Sequence, residues 1–274
     1  MSLSNSEKSR LKATYGPWAL ITGATSGIGR ELATQLATAG LNVILSARRR
    51  DELVQLAGDF EKKYGIQAKV VAGDLSEKEQ VERLISATEG LDVGLLIPCA
   101  GFGSSGYFIE SNVETESSML RLNCEAVLRL VHHFSQTFKS RKRSGIILMS
   151  SIVAFQGVPY SANYAATKAW VQSLAEGLAD EFWPHGIDVL SAIPGPIESG
   201  FSERANMKMS LYNTPEDIGV PLLRALGRSN SVVPGGIGKL LVYSLRTVPR
   251  GVKTRILKIV MGGMTAHQRV TVEK

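Results

Sequence analysis

Two groups of residues combine side-chain types and spacings that suit chemistry. The first is Tyr164-Ala165-Ala166-Thr167-Lys168. On a helix, i,i+4 spacing puts the phenol and the ammonium on one face. A free tyrosine titrates near ~10 and is a poor base at neutral pH. A cation one turn away stabilises the phenolate and moves it toward the range useful for general acid/base catalysis. An exposed Tyr–Lys pair is also an ordinary feature of a helix surface, so the spacing gains meaning only from its company. That company includes Ser150-Ser151, which close the apolar run Ile146–Met149. In α/β sheets the carboxyl edge of a strand is where ligands are held.

The second group is Thr22-Gly23-Ala24-Thr25-Ser26-Gly27-Ile28-Gly29, where an apolar run hands over to a helical pattern. Without Cβ atoms at Gly23, Gly27 and Gly29 the backbone can turn sharply and approach a pyrophosphate, and the following helix N-terminus offers unpaired N–H donors. Ile28 and the lack of a following Gly-Lys-Ser/Thr exclude a nucleotide-triphosphate loop. Glycines at a tight turn also occur for steric reasons alone. The second apolar run ends Ala47-Arg48-Arg49-Arg50, with no carboxylate before Asp51. A dinucleotide site built for NAD uses an acidic residue here, whereas guanidinium groups suit the extra phosphate of NADP. Arg48, nearest the run's end, is the better ligand, with Arg49 beside it; Arg50 fits the start of a solvated helix.

Positioning these groups requires a sheet. Ala19–Thr22, Asn42–Ser46, Ala68–Val71, Val93–Ile97, Ile146–Met149 and Asp188–Ala192 are short and apolar nearly throughout, as strands buried on both faces are. Helical patterns lie between them, such as Leu32, Leu36 and Ala39 after Gly29, and Leu84, Ile85 and Thr88 after a Ser76–Glu79 capping-box pattern. The helix carrying Tyr164 runs to about Glu181. Alternation of this kind predicts an α/β, doubly wound parallel sheet with right-handed crossovers. Pro194 to Asn213 reads as a long functional loop, and a helix resumes from Thr214, with Pro215 and Asp217 in its first turn, to about Leu226. The expected organisation is a polar N-terminal segment (1–15), a catalytic domain (16–235) and a basic C-terminal extension (236–274).

The 274 residues are 44% hydrophobic and 20% charged, an ordinary globular composition. No secretory signal pattern and no apolar run long enough for a spanning helix is evident, so a cytoplasmic protein is expected. Cys99 and Cys124 read as buried free thiols, and the four histidines lack metal-ligand spacing, so no metal is expected. The net charge of +6 is local: between Ile218 and Val272 lie nine Lys/Arg and no Asp/Glu. No nucleic-acid-binding motif accompanies it. Gly238–Met261 mixes leucine, isoleucine and valine with six cations. Such a helix either packs on the domain or on another subunit, or lies on an anionic membrane surface.

Taken together, the glycine turn, the serine and the Tyr-x-x-x-Lys motif resemble the short-chain dehydrogenase/reductase family over about Trp18 to Ser199. The resemblance implies a Rossmann-type, three-layer α/β/α fold with a C-terminal helical extension. It also implies an oxidoreductase, a ketoreductase or alcohol dehydrogenase that moves a hydride between NADP(H) and a carbonyl carbon. Gly23, Thr25, Ser26, Gly27, Ile28 and Gly29 would hold the pyrophosphate, with Ala100-Gly101 also against the cofactor. Asp74 and Leu75 would lie beside the adenine, and Pro194, Gly195, Pro196 and Ile197 would run past the nicotinamide, with Ser199 in contact. Ser151 would polarise the substrate oxygen, Tyr164 would exchange the proton, Lys168 would hold the ribose and tune Tyr164, and Asn123 would anchor a relay water. The family's helices near Val113 and Ala162 imply a homodimer or homotetramer.

Two positions depart from the family pattern: Pro98-Cys99-Ala100-Gly101 has Cys99 where an asparagine is usual, and Ser199 stands where threonine is usual. Apolar residues around the motifs (Phe102, Phe108, Phe155, Val158, Tyr160) and in the loop (Phe201, Met207, Met209, Leu211, Tyr212) favour a hydrophobic carbonyl substrate over a sugar, if they face the pocket rather than the core. The alternative readings are a non-catalytic NADP-sensing regulator on the same fold and a protein that acts through a peripheral membrane contact of its basic tail.

Overall fold

In the computed structural model, residues 2–198, 200–208, 212–244 and 247–268 are described, excepting the side chains at positions 237, 241 and 243. The six apolar runs are strands: β1 (Trp18–Thr22), β2 (Asn42–Ala47), β3 (Ala68–Ala72), β4 (Val93–Ile97), β5 (Ser144–Met149) and β6 (Ile187–Ala192). A two-residue strand, β7 (Ser231–Val232), completes a seven-stranded parallel sheet in the order β3-β2-β1-β4-β5-β6-β7. The order reverses between β1 and β4, which opens a crevice at their carboxyl ends.

Period-two alternation divides each strand between two cores. Ala19 and Ile21 face Leu32, Leu36, Leu53 and Ile218, from helices α2 (Gly27–Thr38), α3 (Arg50–Tyr64) and α9 (Pro215–Ala225). Leu20 faces the opposite way, toward Leu84, Leu130, Phe134 and Val171, from α4 (Lys78–Ser86), α6 (Ala126–Phe138) and α7 (Ala162–Phe182). Two buried faces explain why the strands read as continuous apolar runs. Helix α5 (Val113–Leu120) joins α6 through a wider π turn at Arg121–Glu125. After β6 come the four-residue helix α8 (Phe201–Arg204), then α9, α10 (Gly236–Ser244) and α11 (Arg250–Met264).

Several expectations need correction. Residues 1–15 are not merely a polar segment: α1 (Asn5–Tyr15) is capped by Ser4 and buries Leu11 and Tyr15. Arg10 donates to the carbonyls of Leu223 and Leu226 at 2.7 and 2.9 Å, and Tyr15 donates to Asp188 at 2.7 Å. The whole helix has too little apolar patterning to advertise this docking. The Ser76–Glu79 capping box does not form, because the Ser76 hydroxyl donates instead to the Asp74 carboxylate at 2.8 Å. The box at Thr214 and Asp217 does form and starts α9 at Pro215. In the C-terminal extension, Met261 of α11 is buried against Val158 and Ala165, so part of its apolar stripe packs on the domain. Leu240 and Ile259 remain 71% and 78% exposed. Among the described residues, no helix is long and apolar enough to cross a membrane.

Candidate active site

The crevice deepens into a cavity of about 1190 Å³ that runs along the strand ends. Its first wall is the turn from β1 to α2. Gly23 and Gly27 have φ of +68° and +53°, where a side chain would be strained. A Cβ at Gly29 would fall 2.4 Å from the Gly23 carbonyl oxygen, so only glycine lets the helix start this close to the strand. Ser26 stands at the N-cap without capping through its side chain, and no acidic residue occupies the first turn of α2. The helix N-terminus thus offers donors and a partial positive charge to an anion. These features fit a pyrophosphate.

Beside this turn, Arg49 donates to the Thr25 hydroxyl at 3.1 Å and pairs with Glu52 at 3.0 Å. Arg48 lies 3.9 Å from the Asp74 carboxylate. Both guanidinium groups are more than half exposed and line the cavity with Asp74 and Leu75. At the end of β4, the Ala100 amide donates to Thr22 at 2.9 Å, which holds the β4 turn against the glycine turn. The Cys99 side chain packs against the core beneath α2 and α3. Burial pushes its thiol up to about 12, so it stays protonated.

The opposite wall carries the Tyr164 group. Ser151, Tyr164 and Lys168 all line the cavity. Lys168 is buried and donates to the Met149 carbonyl at 2.8 Å, which ties α7 to the end of β5. Its Nζ stands 5.7 Å from the centre of the Tyr164 ring. Burial moves both groups toward their neutral forms. The Tyr164 phenol is raised well above its ordinary value, with Ser151 acting weakly in the opposite sense, and the Lys168 ammonium is lowered to about 8. Desolvation, opposed only by the Ser151 hydrogen bond, sets the phenol above its ordinary value, so Tyr164 holds its proton as an acid.

Asn123 does not line the cavity. It sits in the π turn and is buried, with its amide donating to the Phe102 carbonyl at 2.9 Å and to Thr167 at 3.1 Å, while its own carbonyl accepts from the Phe102 amide. It therefore braces the segment after Gly101 from behind, with its Oδ1 3.0 Å from where a Gly101 Cβ would stand. Gly23, Thr25, Ser26, Gly27, Ile28, Gly29, Arg48, Arg49, Asp74, Leu75, Ala100, Gly101, Pro194, Gly195, Pro196 and Ile197 all line the one cavity. Ser199 lies outside the described residues, as do Met209 and Leu211.

Of the apolar residues expected near substrate, Phe102, Phe155, Val158, Phe201 and Met207 line the cavity. Phe108, Tyr160 and Tyr212 do not. Phe108 is 65% exposed, and Tyr160 packs edge-on against Tyr107. The Phe201 ring lies 5.2 Å from that of Tyr164, above Gly103, where a Cβ would meet it at 2.6 Å. Sequence reasoning missed Arg204, and it missed Ile256, Leu257, Val260, Met261 and Met264 of α11 as cavity residues. The only sequence signal for the latter was the apolar stripe of the basic tail.

Comparison with known proteins supplies context for this geometry. A family model described as short chain dehydrogenase matches residues 17–210. The chain is 33% identical over 246 residues to a 7beta-hydroxysteroid dehydrogenase of Collinsella aerofaciens, covering 85% of this chain and 91% of that protein. It is 35% identical over 193 residues to a very-long-chain 3-oxoacyl-CoA reductase of Podospora anserina, covering 69% of this chain and 57% of that one. A solved 7beta-hydroxysteroid dehydrogenase structure superposes with a TM-score of 0.83 at 29% identity, covering 90% of this chain and 98% of its own.

Proposed function

The chain belongs to the short chain dehydrogenase family, and from that premise we propose that it is an NADP(H)-dependent reductase of a bulky, apolar carbonyl compound. The observation that carries this is the convergence of Ser151, Tyr164 and Lys168 on one wall of a cavity whose far end holds the glycine turn and two arginines. When bound, the dinucleotide supplies the hydride.

The chain's own residues do the rest. Gly23, Gly27 and the α2 N-terminus bind the pyrophosphate, and Arg48 and Arg49 meet the 2′-phosphate. Ser151 donates a hydrogen bond to the carbonyl oxygen, favouring the alkoxide that develops there. Tyr164 delivers its proton to that oxygen, and a phenol held protonated by burial is in the form reduction requires. Lys168, fixed by Met149, stands next to the phenolate left behind and stabilises it. Asn123 holds the Phe102 segment and so positions the floor of the site.

An apolar substrate is supported by the lining beyond Tyr164: Phe155, Val158 and Phe201, closed over by Leu257, Met261 and Met264 of α11. Relatives named for steroid and long-chain acyl substrates are consistent with that class. The test follows NADPH absorbance with a panel of ketones and aldehydes graded from small polar sugars to multi-ring ketones. Turnover rising with apolar bulk, and lost in Tyr164→Phe, is the expected result. Oxidation of no NADPH with any carbonyl, despite tight NADPH binding, would favour the sensing role instead.

A further inference from the structure

We infer that the outer edge of α11, together with α10, seats on an anionic lipid surface, so that the mouth of the cavity opens onto the bilayer. The docking stands on these two helices alone; entry of substrate from the lipid rests on the apolar-carbonyl reading above. Helix α11 carries two apolar strips. Leu257, Met261 and Met264, at i, i+4 and i+7, line the cavity, with Met261 buried against Val158 and Ala165. Val252, Ile256, Ile259 and Val260 form the second strip, and all four are exposed. Ile256 and Val260 belong to both: they line the cavity and are still 36% and 45% exposed. The rim of the cavity is therefore continuous with the exposed apolar edge of the helix. Phe155 also lines the cavity while exposed, and α10, whose Leu240 is exposed, packs against the Ile152–Phe155 turn.

The charge around this edge is of one sign. From Ile218 to Val272 the sequence has nine Lys/Arg and no Asp/Glu. Arg255 and Lys258 are exposed, and by helical spacing they flank the second strip on the side away from the cavity. Arg250 opens α11 with no acidic residue in the first turn, so its cation is set against the positive end of the helix. Among the described residues, Lys239, Arg250, Lys253, Arg255 and Lys258 form no salt bridge. The carboxylates that line the cavity, Asp74, Glu176 and Glu203, belong to other elements.

Exposed aliphatic side chains bordered by cations match an anionic headgroup layer over hydrocarbon: the aliphatic groups enter the acyl boundary and the cations meet the phosphates. A second copy of the chain fits this face less well, because a two-fold contact through it brings the same cations together. Among the described residues no helix is long enough and apolar enough to span a membrane, so the contact runs along the surface. With the edge seated, an apolar compound dissolved in the bilayer reaches Phe155, Val158 and Tyr164 past Ile256 and Val260 without crossing water.

Flotation of the full chain with vesicles of phosphatidylcholine alone, and of phosphatidylcholine with about a third phosphatidylglycerol, tests this. The chain is expected to rise with the anionic vesicles and not with the neutral ones, less so as salt is raised. Ile259 lies outside the cavity lining. Ile259→Asp is expected to weaken binding to the anionic vesicles by about tenfold or more, and Lys258→Ala by about fivefold. Both variants should unfold at the wild-type temperature, which shows that they are folded, and should reduce a water-soluble ketone at the wild-type rate. Ile259→Asp should reduce a vesicle-borne multi-ring ketone more slowly. No flotation with anionic vesicles, equal flotation with neutral ones, or flotation that neither variant weakens would overturn the docking. A lipid-free dimer that Ile259→Asp dissolves, in place of flotation, would give the face to a second copy. Docking by a protein that reduces no ketone would overturn the reductase reading and the entry route while the docking stood.

Discussion

The two halves of the cavity are made differently. The adenosine half is built by backbone: three glycines, a helix N-terminus and strand ends locked to one another by parallel pairing. The substrate half is built by side chains from late, short or terminal elements, with Phe201 on a four-residue helix and Leu257, Met261 and Met264 on α11. Backbone geometry tolerates almost no substitution, whereas an apolar side-chain lining can be exchanged at modest cost. One half therefore fixes which cofactor chemistry is available, and the other is free to change which carbonyl is admitted.

The sharpest separation of the halves comes at their junction. Tyr164→Phe is expected to lower turnover by about 10³-fold or more while NADPH affinity stays within about threefold, measured by absorbance and by direct binding. A comparable loss in binding would make Tyr164 part of the cofactor half. Within that half, Gly29→Ala forces a methyl to 2.4 Å from the Gly23 carbonyl oxygen. NADPH affinity is expected to drop by about 100-fold, since the turn must open; near-normal binding would mean the turn is far more compliant than its contacts suggest. Met261→Ala in the substrate half should leave NADPH binding unchanged and raise KM for a bulky ketone by about tenfold, as expected for losing part of an apolar lining. A change in NADPH binding there would show that the halves are coupled through α11.

The smallest expected effect concerns stability. Burial lowers the Lys168 ammonium from the ordinary 10.5 to about 8. The folded protein sheds this proton near pH 8, whereas the unfolded chain keeps it to about 10.5, so the unfolded state binds more protons in that window. The contribution of Lys168 to stability therefore rises with pH from 8 to 10.5. In the cofactor-free protein, Lys168→Met should unfold at higher denaturant at pH 7, by on the order of 1 kcal/mol, with the advantage shrinking across that window. An advantage that does not vary with pH would place the ammonium in water.

Sequence legibility follows the same division. The six long strands, the glycine turn and the Tyr164–Lys168 spacing could be read because each is local: two buried faces leave a continuous apolar run, and a tight turn leaves glycines. Gly23, Gly27, Gly29, Tyr164 and Lys168 line one cavity. Strand β7 is only two residues long and leaves no run to detect. Helix α1 docks mainly through Leu11, Tyr15 and Arg10, whose partners Asp188, Leu223 and Leu226 lie far along the chain. Ser76 satisfies the capping pattern by composition, yet the nearer Asp74 carboxylate takes its hydroxyl. The depressed acidity of Tyr164 depends on how deeply the cleft is buried, which spacing on one helix does not encode. Arg204 and the α11 stripe become cavity residues only because the chain folds back across strands laid down much earlier.

Because the turn at Arg121–Glu125 is wound more loosely than its flanks, it accommodates one surplus residue that an evenly wound helix has no place for. Removing a single position there would let α5 and α6 fuse into one regular rod and would draw the Asn123 amide away from the Phe102 peptide it grips on both sides. The cavity wall at Phe102 would then sag while both flanking helices kept their seats, so that loose winding, an apparent irregularity, is what keeps that wall in place.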